Sequence, residues 1–426
     1  MIPMNIRKRT SALVLAVICA VSLPLTASVA SVDASPYTFF TRVYGPGVKN
    51  LSVGDAYARY QWGLKNDAEL QYQEIRNRFR DSNPYLAQRI DLANLLGVPA
   101  PISGPGAYEL VTRDAVEGID INILPAWQLY DSSTVEHRPV VVAVIDTGID
   151  INHPELKGAI WVNEDEIPGD GIDNDGNGYI DDVNGWNFFD GNNQVYAGRE
   201  DAHGTHAAGT IGAVRGSYGI AGITDNAYVK IMPLKALGTE FGYGEESAVI
   251  AAIRYAEANG ASICNLSFGT TEYYPALEKV MKESKMLFVV AAGNGDAAGI
   301  GLNIDQVPDY PSSYNLPNCI STANLMFDGD LEESSNYGVS TVDIAAPGTY
   351  IVSTTTEGRY GYMSGTSMSA PMVTGAAAML YSYRTDLNLQ DIKTVLLESA
   401  HKLEQLEGKV RCGGMLDVYA ALTYGQ

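Results

Sequence analysis

The sequence predicts an α/β protein with a mostly parallel central sheet and helices on both faces. Three observations carry that expectation. Val140 to Ile145, Lys230 to Leu234, Ser262 to Leu266 and Met286 to Ala291 are short, nearly continuous apolar runs, the pattern of strands buried on both faces. Helical stretches lie among them: Glu245 to Ala258, closed by Asn259-Gly260, and Pro275 to Ser284. Strand and helix in alternation imply parallel pairing, because a parallel connection needs a crossover long enough to hold a helix.

In chain order, residues 1–30 read as a signal peptide. Arg7, Lys8 and Arg9 give a positive start, Leu13 to Leu25 is an apolar run too short for a comfortable membrane span, and Ser28-Val29-Ala30 supplies a small-residue cleavage site. An uncleaved anchor is the alternative. Residues 31–117 form a short N-terminal extension. Within it Ala56 to Leu64 is compact and aromatic, Asp67 to Leu96 has helical spacing of Leu70, Ile75, Phe79, Leu86, Ile90 and Leu92, and Pro99 to Gly106 is a Pro/Gly linker. Residues 118–426 hold the alternating unit. Ala370 to Tyr383 is an apolar, small-residue helix suited to a central position, and Leu389 to Leu406 reads as an amphipathic helix. No second stretch is long and charge-free enough to span a bilayer, so an exported, soluble protein without a stable membrane anchor is expected.

The charge narrows the function classes. The 426 residues carry 28 Lys+Arg against 50 Asp+Glu, a formal net charge of −22, with 46% hydrophobic residues and 18% charged ones. That composition is globular, and its acidity argues against nonspecific nucleic-acid or anionic-membrane binding, which needs basic patches. Removal of residues 1–30 takes away three positive charges and no negative ones, so −22 becomes −25. The remaining cysteines, Cys264, Cys319 and Cys412, lie in apolar, strand-like contexts and read as buried thiols, with one disulfide as the alternative.

Three polar, Gly-flanked segments carry chemistry-bearing side chains. Asp146, in VIDTGID, ends an apolar strand, where open α/β sheets place their sites. His203, in DAHGTHAAGT, starts a small-residue helix, with His206 three residues on. Ser367, in SGTSMSAP, starts another helix, where a hydroxyl is either an N-cap or a nucleophile favoured by the free N–H groups and the helix dipole.

Asp, His and Ser in that order, each in its own Gly-rich frame, together with AAGN at Ala291 to Asn294, resemble the subtilisin-like serine protease family (subtilases, peptidase family S8). The resemblance covers Gln61 to Leu64 and then Gly118 to the end, and it implies the subtilisin-like three-layer fold. It further implies that Ser367 attacks the scissile carbonyl, His203 moves the proton, Asp146 orients the imidazole and the Asn294 amide stabilises the oxyanion. His206 is read as structural. Ser267-Phe268-Gly269 and Gly242-Tyr243-Gly244 match the family segments that hold a peptide as an added β-strand. Ala291, Ala292 and Gly293 match the wall of the first specificity pocket, and Val307 to Pro311 its floor. Asp309 falls where many relatives carry a small residue. It either faces the pocket and favours Lys or Arg before the cut, or points to solvent.

Between Asp146 and His203, Asp173, Asp175, Asn177, the Tyr179 carbonyl and Asp181 sit at alternating positions, with Asp182 or Asp170 to complete a shell. That spacing curls oxygen ligands around one calcium ion, a reading the family supports, since relatives carry calcium before the catalytic His. A second family calcium site looks weakened: Glu155 matches one ligand position, but the Val214 to Gly219 loop lacks the expected Asn.

The chain departs from the family near its start. About 25 residues separate the signal from Gln61-Trp62, too few for the usual folded propeptide, while residues 66–116 form an insertion that is either regulatory or a surface decoration. The expected function is a secreted serine endopeptidase acting as a monomer on protein or peptide substrates. The alternatives are a narrow-specificity processing protease cutting after basic residues and a catalytically silent binding protein of the same fold.

Overall fold

A computed structural model describes residues 41–44, 55, 57–68, 70–77, 108–216, 219–239 and 242–426. The expected signal peptide, the Pro/Gly linker and most of the expected helix over 67–96 lie outside the described residues.

The centre is a nine-stranded sheet. In chain order its strands are β1 (Val140–Asp146), β2 (Trp186–Asn187), β3 (Val229–Lys235), β4 (Ile263–Leu266), β5 (Leu287–Ala291), β6 (Cys319–Leu325), β7 (Ile344–Pro347), β8 (His401–Lys402) and β9 (Gly414–Met415), and in space they run β8-β9-β7-β6-β5-β4-β1-β3-β2. Every pair is parallel except β8 with β9 at one edge. The apolar runs therefore became strands within a residue or so of their expected limits.

Their lack of alternation has a direct cause, because both faces are covered. Val142 and Val144 of β1 enter one core while Ala143 and Ile145 enter the other, and Leu287 and Val289 of β5 are separated from Phe288 and Val290 in the same way. The first core is closed by helices α1 (Ile123–Ser132), α2 (Ala202–Gly212), α5 (Thr366–Tyr383), α6 (Leu389–Glu398) and α7 (Val418–Leu422), and the second by α3 (Glu246–Ala258) and α4 (Pro275–Glu283). This is the expected three-layer α/β architecture. Helix α5 is buried at every residue except Tyr381, which explains its small-residue composition: wide side chains could not enter a helix enclosed on all sides.

Two expectations about elements need correction. The helix over 67–96 fails at its start. Gln71–Asn77 is a strand in a separate antiparallel sheet between Thr41–Tyr44 and Tyr108–Asp114. Its partner lies some 30 residues downstream, so the pairing leaves no trace in a local helical period. The helix over 389–406 stops at Glu398, and the chain turns back through β8, whose partner β9 is also remote in sequence.

The boundary between 117 and 118 also does not divide the packing. Trp62 and Leu64 are 1% exposed within the main core, the Trp62 indole donates to the Thr349 carbonyl at 2.8 Å, and Gln61 donates to the Ala221 carbonyl at 2.8 Å. Segment 61–64 thus belongs to the central unit. Arg113 of the extension reaches Asp328 at 2.7 Å and Asp330 at 3.0 Å.

Cys264 and Cys319 are buried free thiols and Cys412 is a partly buried one. Cys264 and Cys319 both lie beside Phe288 of β5, one on each neighbouring strand, so a strand separates them. Among the described residues no helix is long and apolar enough to cross a membrane.

Candidate active site

Asp146, Ser267 and Gly293 lie at the carboxyl ends of β1, β4 and β5, so the parallel sheet brings three remote segments to one edge. Helices α2 and α5 begin at that edge, where the Gly204 N–H donates to Thr147 Oγ1 and the Gly293 N–H to Thr366 Oγ1, both at 3.1 Å, with His203 and Ser367 each second in its helix.

The Asp146 and His203 side chains meet in a closed environment. Asp146 Oδ1 lies 2.7 Å from His203 Nδ1, with the two side chains 0% and 1% exposed. The same oxygen accepts the Thr147 N–H at 2.7 Å. A carboxylate at Nδ1 holds the ring proton there and leaves the Nε2 lone pair available as a base. Nε2 is buried and has no hydrogen-bond partner among the described residues. Ser367 is 4% exposed, and its Oγ donates to the Ser267 carbonyl at 2.9 Å. In this state the Ser367 proton is held by main chain, and the imidazole acceptor is unengaged.

Asn294 is oriented by the start of α5. Its Oδ1 accepts the Thr366 N–H at 2.9 Å and the Thr366 hydroxyl at 3.0 Å. With Oδ1 taken, Nδ2 is the end of the amide left to donate elsewhere, beside the residue that precedes Ser367. His206 has the structural environment expected of it: its Nε2 lies 2.9 Å from the Ile351 carbonyl, and burial pushes its pKa down to about 3.

Ser267, Phe268, Gly269, Ala291, Ala292 and Gly293 line the sheet edge, and Tyr243–Gly244 forms a short antiparallel pair with Leu237–Gly238. Asp309 does not point to solvent. A Cβ on Gly269 would lie 2.5 Å from its Oδ1 and one on Gly293 2.8 Å from its Oδ2, so the carboxylate fits between these two segments only because neither has a side chain. Its Oδ1 is shut off from solvent, and burial, partly offset by the Thr270 N–H, pushes the carboxyl up to about 7.

Several residues at the site carried no sequence signal. Lys235, in register with Asp146 on β3, is 0% exposed; its ammonium donates to the Thr147 carbonyl, to Asp201 at 2.6 Å and to Glu200 at 3.0 Å. This ion pair joins the turn after Asp146 to the start of the helix carrying His203. Asn265 donates to Ser267 Oγ at 2.9 Å and accepts from Thr374 Oγ1 at 2.9 Å, tying β4 to α5.

The acidic loop brings two of the expected carboxylates, Asp173 and Asp175, together with Glu166, which was not among those expected. Glu166, Asp173 and Asp175 each offer an oxygen within 4.8 Å of the others. Glu166 also gathers the loop's main chain, accepting N–H groups of Asn174 at 2.7 Å, Asp175 at 3.3 Å and Asp181 at 3.1 Å. The Gly178 N–H holds Asp173 below the usual carboxylate range. Asp181 and Asp182 are engaged elsewhere. Asp181 accepts the Gly169 and Gly171 N–H groups at 2.7 and 3.1 Å, while Asp182 is buried against Asn163, Asn177 and the Tyr255 hydroxyl. Asn177 turns its Oδ1 to the Tyr179 N–H at 2.8 Å. Alternation along the chain did not fix these directions, because Gly176 and Gly178 adopt positive φ and Asp181 does too, reorienting successive side chains. Three converging carboxylates are a donor set that suits a hard divalent cation. At the second family site, which the sequence already shows weakened, Glu155 accepts the N–H groups of Gly219 at 2.5 Å and Ile220 at 3.1 Å and the Tyr360 hydroxyl at 2.7 Å.

A family model described as the subtilase family matches residues 137–414. Subtilisin-like protease 1 of Plasmodium berghei (strain Anka) is 33% identical over 330 residues, which is 73% of this chain and 54% of that protein. The major intracellular serine protease of Bacillus subtilis (strain 168) is 34% identical over 275 residues, 62% of this chain and 75% of that protein. The chain spans about half the length of the Plasmodium relatives, with 54%, 47% and 49% of their lengths covered. The crystal structure of a cold adapted subtilisin-like serine proteinase aligns at a TM-score of 0.53 and 25% identity, covering 67% of this chain and 91% of that one.

Proposed function

The chain belongs to the subtilase family, and from that premise we propose that it is a secreted serine endopeptidase working through an acyl-enzyme. The observation that carries this reading is the buried Asp146–His203 pair with an acceptor nitrogen left unengaged, at the same sheet edge where Ser267 and Gly293 hold the start of the helix bearing Ser367. When a peptide pairs along Ser267 to Gly269, Ser367 Oγ transfers its hydrogen bond from the Ser267 carbonyl to His203 Nε2. His203 takes the proton as Oγ bonds to the scissile carbon, and Asp146 offsets the positive charge on the ring. Asn294 Nδ2 and the Ser367 N–H donate to the oxyanion, and loss of one such donor costs roughly 10²–10³ in turnover. His203 then protonates the leaving amine. Water repeats the sequence on the ester.

Labelling with a sulfonyl fluoride tests this reading. One equivalent should attach to Ser367, and none in Ser367→Ala. An unlabelled wild type with intact binding of peptides would favour the catalytically silent alternative.

A narrower specificity for Lys or Arg before the cut is favoured by the buried Asp309 carboxyl between Gly269 and Gly293, which no described cation neutralises and a substrate cation would. Export rests on the character of residues 1–30. Calcium would be held by Glu166, Asp173 and Asp175, where it supplies a positive charge that locks the acidic loop.

A further inference from the structure

The Asn294 side chain is held from one side by Thr366, and the main chain on either side of Asn294 is held by a residue with no place in the mechanism above. Asn336 is 0% exposed and lies in the loop after β6. Its N–H donates to the Gly293 carbonyl at 2.9 Å and its Nδ2 donates to the Ala292 carbonyl at 2.9 Å. Its Oδ1 accepts the Gly295 N–H at 3.1 Å and the Leu302 N–H at 2.8 Å. One side chain and its own amide thus bind the residues immediately before and after Asn294.

The segment so bound needs an external brace. Gly293 and Gly295 both adopt positive φ, 99° and 79°, and a two-glycine turn has little conformational preference of its own. A Cβ on Gly293 would collide with the Asn336 amide, so the two residues are fitted to each other. Asn336 is itself pinned: Ser335 Oγ accepts the Asn324 N–H of β6 at 2.9 Å and donates to the Asn336 carbonyl at 3.1 Å. The chain Asn324, Ser335, Asn336, Ala292–Gly295 connects the rigid sheet to the turn that presents the oxyanion donor.

We propose that Asn336 is a positioning residue that sets the Asn294 amide at the oxyanion position. This rests on the serine-peptidase reading above. A donor displaced by about 1 Å from where charge develops can cost on the order of 100-fold in rate, so the brace is expected to act on turnover rather than on substrate affinity.

A double-variant cycle tests it. Asn336→Asp keeps the acceptor for Gly295 and Leu302 but turns a carboxylate oxygen, in place of the Nδ2 donor, toward the Ala292 carbonyl; Asn336→Ala removes all three side-chain bonds, and both variants keep the main-chain bond to Gly293. In the wild-type background kcat is expected to fall roughly tenfold for Asn336→Asp and on the order of 100-fold for Asn336→Ala, with KM changed less than about threefold. In an Asn294→Ala background the same substitutions should lower kcat less than about threefold, because the donor they position is gone. Equal losses in both backgrounds, or a loss carried by KM, would overturn the assignment. If Asn336→Ala does not fold, Asn336→Asp alone decides. A wild-type protein that is never acylated at Ser367 would instead sink the peptidase reading itself.

Discussion

Ser267 and Ser367 clasp each other: each hydroxyl donates to the other's main-chain carbonyl, both at 2.9 Å. The clasp fixes the start of α5 against the strand end along which a peptide would lie. In Ser267→Ala the Ser367 carbonyl and the Asn265 amide lose their partner, at a cost of about 1–3 kcal/mol for buried groups left unsatisfied. The Ser267 carbonyl survives, so kcat is expected to fall less than tenfold while the urea midpoint drops clearly. A kcat loss of 100-fold with unchanged stability would contradict this.

Asp309 is expected to make specificity depend on pH. Its carboxyl titrates near 7 rather than at the ordinary 3.8 because burial penalises the charged form. Preference for a Lys over a Leu substrate, taken as a ratio of kcat/KM so that His203 cancels, is expected to rise with pH through about 7. In Asp309→Asn the ratio should be low and flat. Stability has a matching sign. The folded pKa is raised, so the stability tied to this group is full below about pH 4 and lost as pH rises through about 7. Asp309→Asn should therefore melt with wild type at pH 4 and above it at pH 8.

Lys235 and Asp201 form an ion pair at 2.6 Å with neither side chain exposed. Lys235→Met leaves a buried carboxylate, which costs about 3–5 kcal/mol in such pairs. Lys235→Met with Asp201→Asn should recover much of the lost stability. Denaturation midpoints of the single and double variants check this, and a double variant as unstable as Lys235→Met would show that the pair is not what matters.

The acidic loop should respond to metal. Calcium at about 100 times its dissociation constant adds about 2.7 kcal/mol to the folded state by mass action. Melting temperature is expected to rise with calcium and fall with chelator, and Glu166→Gln should remove most of the difference. Asp181→Asn should leave it largely intact, since that carboxylate is turned to Gly169 and Gly171. Identical curves with calcium and chelator would refute the site.

The sequence by itself determined the sheet, the family and the residues expected to do the chemistry. Buried parallel strands need unbroken apolar runs, and Asp146, His203, Ser367 and Asn294 sit in short Gly-rich frames whose spacing is local. Even the insertion was visible as a departure, though not its strand Gln71–Asn77. What the tertiary structure alone decided were the relations between segments far apart in the chain. Asp309 lies between Gly269 and Gly293, Lys235 reaches Asp201 across from β3, Asn336 straddles Asn294, and Glu166 joins Asp173 and Asp175 among the converging carboxylates. The physical reason is common to all four. Burial, hydrogen-bond direction and the approach of charged groups depend on which strands and turns become neighbours, and on the sign of φ at a few turn residues, none of which leaves a period in the sequence.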